Sequence, residues 1–174
     1  MDNYIEQIIK KKPDIKQRLL YVASVLLTIF GVAIMIVWNM GLGAMVTAIG
    51  GFLIYVTKNQ QSQEYEYVFV NSDCDIARII NKQNRKEIFS LKGGDVQKVV
   101  AYNSQGFDNE QQAHPNLIIK DFTSGDKSKQ DDWYVFIMNN MGKTTAVGLE
   151  LDDKTKVYVE TYYKNKLNIT GVNA

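Results

Sequence analysis

The residues able to do chemistry are few and scattered. The chain has one His and one Cys. His114 precedes Pro115 in a polar stretch, and Cys74 lies between Asp73 and Asp75. One His and one Cys make no zinc site without carboxylate help, and no metal-ligand spacing is present. Cys74 is read as a reduced thiol in a turn, and its acidic neighbours oppose the thiolate that a nucleophile requires. Gly142-Lys143-Thr144-Thr145 has the tail of a phosphate-binding loop, but the position of the first required glycine is Ile137, so a hairpin turn explains it. The pairs Asp73/Asp75 and Asp131/Asp132 lack the alternating oxygen ligands and distal Glu of a calcium loop and read as turn acids. Asn168-Ile169-Thr170 matches a glycosylation acceptor, which a cytoplasmic tail would not use. No catalytic residue, metal or cofactor is expected, and the chain is not read as an enzyme. A membrane enzyme would need converging titratable groups that this sequence does not display.

Charge and hydropathy are more informative. Leu19–Thr57 contains no Asp, Glu, Lys or Arg, although the whole chain has a mean hydropathy of only −0.21. A bilayer core of about 30 Å takes about 20 apolar residues as helix. Residues 19–38 supply one span, and their Ser24 and Thr28 can bond back to the preceding turn. Asn39-Met40-Gly41 reads as a tight turn, and residues 42–57 supply a shorter, Gly-rich second span. In the second span Gly43, Thr47 and Gly51 recur every four residues, a ridge that allows close helix–helix packing in lipid. The ridge suits packing within the hairpin or association with another chain, a second copy included. A cleaved signal peptide fits poorly, because acids precede the block and a second apolar segment follows at once. A buried helical hairpin in a soluble protein is the other rival.

The basic residues Lys10, Lys11, Lys12, Lys16 and Arg18 precede the first span, and the connecting turn carries no charge. Basic flanks stay on the cytoplasmic side, so both termini are expected there, at the inner membrane. Residues 1–18 read as a basic amphipathic helical segment with capping-box spacing at Asn3 and Glu6 and a break at Pro13. Such a segment would lie among lipid headgroups, with Lys10, Lys11 and Lys12 as contacts.

After a polar linker at 58–63, the period changes to two. Strands are predicted at 64–70, 75–80, 85–91, 96–102, 117–122, 133–138 and 144–151. The continuous apolar run Trp133–Met138 marks a central strand. A final helix runs to about Lys166, capped by Asp152 or Asp153, with Val157, Tyr158, Thr161 and Tyr162 as its apolar residues. Residues 167–174 read as a frayed tail. The soluble part is slightly acidic, so a nucleic-acid partner is not expected.

Seven antiparallel strands and a C-terminal helix are the element order of a PH-like, partly open barrel, placing the soluble part in a mainly β, α+β class. The stretches YEYVFVNSDCDIARIINKQNRKEIFSL (65–91) and KDFTSGD (120–126) resemble a family of bacterial membrane proteins of unknown function. Its members share an amphipathic N-terminus, two adjacent spans and a cytoplasmic PH-like domain. They tend to carry Gly-Glu-Leu where this chain has Ser72-Asp73-Cys74. The layout is also similar to that of bacterial PH-domain membrane proteins. The resemblance implies architecture and no catalytic residues. Phosphoinositide-binding PH domains carry cations between their first two strands, and on this reading that loop is Asn71–Cys74, which has none. Lys82, Arg85 and Lys86 in the next turn are then the candidate lipid contacts. The long loop 103–116 is the candidate partner surface, with Phe107 as an apolar anchor and His114 beside it; a disordered connection or a short surface helix over the barrel is the alternative. Lipid bilayer and a protein are the expected partners.

Overall fold

A computed structural model describes residues 4–61, 63–140 and 142–167. The element order is β1 (Tyr4–Lys10), α1 (Ile15–Val37), α2 (Met40–Gln61), β2 (Gln63–Val70), β3 (Asp73–Ile80), β4 (Asn84–Leu91), β5 (Val96–Ala101), α3 (Gln105–Ala113), β6 (Ile118–Asp121), β7 (Trp133–Asn140), β8 (Lys143–Glu150) and α4 (Asp153–Tyr162). The chain divides into two compact units. One gathers the N-terminal strand, Glu64–Ile79 and the chain beyond Asn84; the other gathers Lys12–Gln63 and the turn Ile80–Gln83.

The second unit is a helical hairpin. Both helices are long and apolar enough to cross a membrane, over Ile15–Val37 and Met40–Lys58. The expected linker at 58–63 is largely helix, because Lys58–Gln61 contains no Gly or Pro to stop α2. The capping box belongs to Asp14 and Gln17, where the Asp14 N–H donates to Gln17 Oε1 at 3.2 Å. The Ser and Thr hydroxyls on the two helices each find a carbonyl one turn back: Ser24 to Leu20 at 2.7 Å, Thr28 to Ser24 at 2.9 Å, Thr47 to Gly43 at 2.8 Å and Thr57 to Leu53 at 2.7 Å. Asn39 turns the chain, its Oδ1 accepting from the N–H groups of Gly41 and Leu42.

The other unit holds two four-stranded sheets, in the orders β1-β2-β3-β4 and β5-β7-β8-β6. The seven expected strands correspond to β2–β8. The eighth, β1, lies where the sequence suggests an amphipathic helix; Asn3 of the proposed cap is outside the described residues. The segment YIEQIIK satisfies either period: Tyr4, Ile5, Ile8 and Ile9 cluster on one side of a helix, while Ile5, Gln7 and Ile9 line one face of a strand. Pairing decides for the strand, with an antiparallel register from Tyr4↔Val70 to Lys10↔Glu64. The membrane-type hairpin is therefore inserted between the first two strands of the β-module.

The main core contains Tyr67, Phe69, Ile76, Leu91, Phe136 and Leu149, closed by Val159 and Tyr163 from the α4 end. The continuous apolar run in β7 is buried on both faces. Phe136 and Met138 enter the main core, and Val135 and Ile137 enter a second cluster with Val100, Phe107 and Ala146. That second face is where α3 packs, so the segment read first as an irregular loop takes its alternative form, a short helix over the sheet. The chain crosses from β5 at one edge of its sheet to β6 at the other through α3, and such a crossover delivers β6 parallel to β8. One pair in the barrel is thus parallel, where only antiparallel strands are expected. In α4, the Asp152 carboxylate caps by accepting from Thr155 N–H at 2.8 Å. The buried residues of the helix are Thr155 and Val159, while Val157 is 63% exposed. Of the expected apolar stripe, Tyr158 and Tyr162 pack partly buried against the main core, while Val157 and Thr161 face outward. Leu167 bridges to Val99, so chain order extends beyond α4; the rest of the expected frayed tail lies outside the described residues.

Candidate functional site

The connection between β1 and β2 brings together the basic residues and both apolar helices. β1 ends at Lys10, which faces Glu64 across the register. Lys11 Nζ donates to the Tyr65 hydroxyl at 3.1 Å and lies 5.4 Å from the centre of that ring. Lys12 is also engaged, and Lys16 and Arg18 are exposed in the first turn of α1. The loop joining the first two strands is therefore not Asn71–Cys74. It is the segment 11–62, which begins with cations and carries both apolar helices.

The β3–β4 turn has left-handed backbone at Asn81 (φ 53°) and Lys82 (φ 57°). Asn tolerates this conformation; Lys does so at a cost. Lys82 and Lys86 are exposed. Arg85 is exposed as well and forms an ion pair with Glu66, a buried carboxylate on β2.

The residues proposed for partner contact separate. Phe107 is 4% exposed and stacks near Tyr102, with ring centres 5.5 Å apart, so it anchors α3 to its own sheet rather than offering a partner an anchor. His114 follows the last turn of α3. Its Nε2 lies 3.8 Å from Glu110, which pairs with Lys98 at 2.9 Å. His114 borders an open cleft of about 640 Å³ that also contains Asn116, Ile118 and Lys143.

Cys74 is in β3, not in a turn, and is fully buried. Burial pushes its thiol well above the ordinary range, and Asp75 adds to the shift. Asp73 and Asp75, expected in a turn, lie in β3 and are structural. Asp73 accepts from the Gly93 N–H at 2.9 Å, a bond that holds its carboxyl below the ordinary value, and it also pairs with Lys92. Asp75 accepts from Ser90 at 2.6 Å. Gly142 (φ 77°) opens the β7–β8 turn, as the failed phosphate motif implied.

In the hairpin, a Cβ on Gly31 would lie 2.6 Å from Thr47 N, and one on Gly43 or Gly50 would collide with Met35 or Thr28. Gly43 and Thr47 thus face α1. Gly51 does not: a Cβ there would meet nothing within 4 Å. The contact seam follows the 3.6-residue period through Gly43, Thr47 and Gly50, so a strict four-residue spacing drifts off it.

The sequence reading missed a polar clasp. Gln7 Nε2 donates to the Glu150 carbonyl at 3.0 Å, and Gln7 Oε1 accepts from the Asp152 N–H at 3.2 Å. Glu150 is 4% exposed, and its carboxylate accepts from Ser124 N–H at 3.1 Å and Trp133 Nε1 at 3.2 Å. The only sequence signal was the alternation of Ile5, Gln7 and Ile9.

Residues 1–169 match the model of the bacterial PH-like domain family DUF6106. The chain belongs to this family. No curated protein and no solved structure matches it. The DUF6106 match begins before β1 and runs through both apolar helices and past the end of α4, so the inserted hairpin falls within the matched region.

Proposed function

We propose that this DUF6106 chain is a two-span protein of the inner membrane, with both termini cytoplasmic, that presents its PH-like module as a non-catalytic binding scaffold. The observation that carries this reading is the pairing of β1 with β2. Strands that flank the hairpin close one sheet, which requires both flanks on one face of any bilayer the two helices cross. The cations before α1 favour the cytoplasmic face. Lys16 and Arg18 in the first turn of α1 offer anionic headgroups about 1 kcal/mol each when near the surface. Tethering raises the local concentration of a partner, so a weak contact suffices.

The test is fractionation followed by labelling. Buried Cys74 is a poor reporter, so a Lys86→Cys variant supplies an exposed thiol. An impermeant thiol reagent should label it only after cells are permeabilised. Labelling in intact cells would reverse the orientation, and recovery of the chain in the soluble fraction would end the membrane reading. Photocrosslinking from exposed Gln111 on α3 would then identify what the module holds.

A second reading, an accessory subunit of a membrane complex, is favoured by one observation. Gly51, with exposed Ala44 and Ala48, leaves a small-residue ridge open on α2. Gly51→Ile should abolish co-purification of a partner or of a second copy while leaving the β-module folded.

A further inference from the structure

We infer that closure of the β-module depends on the number of bilayer crossings, so that β1 acts as a strand that reports insertion of the hairpin. The inference rests on the two-span reading. β1 is fastened along one edge by β2 and at its middle by Gln7, which bonds to Glu150 and Asp152 at the β8–α4 junction. It also supplies Ile9 to the main core. The chain that joins this strand to the helices is short. Lys11–Asp14 connects β1 to α1, and one residue separates Gln61 of α2 from Gln63 of β2. Four extended residues reach about 13 Å, less than half of a hydrocarbon core of about 30 Å. β1 therefore cannot reach its place from the opposite face. Two crossings bring β1 and β2 together, and a single crossing leaves them apart. A module without β1 bares the edge of β2 and the core around Tyr65 and Tyr67, the kind of open state that proteases cut. A half-inserted chain is thus marked by an open module, and a fully inserted one by a closed sheet.

A parity series in the full-length chain tests this. One variant carries an additional Leu/Ala span between α2 and β2; another carries two such spans joined by a polar turn. Each is expressed, washed with carbonate, and digested in sonicated membranes with protease on both faces. The half-life of the β-module in the three-span chain should fall at least about tenfold below that of the parent, and the four-span chain should stay within about twofold. A three-span chain as resistant as the parent overturns the inference. A four-span chain as labile as the three-span one also overturns it, because parity then decides nothing. Release of the parent chain by carbonate sinks the membrane reading instead, so the two failures are distinguishable.

Discussion

Residues 64–166 look like a self-sufficient domain in the sequence, and the fold says that they are not. The decisive perturbation compares two soluble proteins. The first is the fragment 63–167. The second joins Lys10 to Glu64 through Asn-Gly in place of residues 11–63, which is feasible because these two residues face each other in the register. The fragment loses the burial of Ile9, which is 7% exposed in the intact chain, and of half-buried Ile5, together with the two hydrogen bonds of Gln7. Those losses sum to about 3–7 kcal/mol before the β1–β2 ladder is counted. A small domain has about 5–15 kcal/mol in total. The fragment should therefore show no cooperative melt by far-UV circular dichroism and should aggregate through the bared edge of β2. The rejoined chain should melt cooperatively. If the fragment unfolds in urea with the same midpoint and slope as the rejoined chain, β1 is peripheral and the reasoning about closure is refuted.

Other expectations follow from single side chains. Gly31→Ile should destabilise the helical hairpin by about 1–3 kcal/mol, since the new side chain meets the Thr47 backbone, whereas Gly51→Ile should leave it unchanged; unfolding in mixed detergent micelles compares the two. Phe107→Ala should cost the β-module about 3–5 kcal/mol in urea, while an exposed anchor would cost almost nothing. Asp73 titrates below its ordinary value of about 4, so its contribution is present above that pH and is lost as the pH falls through the lowered folded value. Asp73→Asn should accordingly lower the melting temperature near neutral pH and converge with the parent in strong acid; a constant difference across the range would show that the charge is not the cause.

Features that depend on transfer from water and on local backbone preference are legible in the residues alone. The uncharged block at 19–57 identifies two apolar helices because hydrocarbon burial depends on composition and length alone. The strands from β2 onward, the central place of β7 and a cap at Asp152 or Asp153 follow from period, run length and carboxylates before a helix; the structure selects Asp152. Tertiary structure decided the rest. YIEQIIK is as good a helix as a strand until β2, more than fifty residues later, offers it an edge. α3 has one large apolar residue, Phe107, too little to mark a helix until the back of β7 is there to receive it. Gly50 rather than Gly51 packs because the seam is set by the rotation of α2 against α1. Cys74 is buried because a turn that looked four residues long closes in two, drawing the thiol into β3. In each case the missing information is a partner distant in sequence, and no local preference encodes which distant surface a segment will meet.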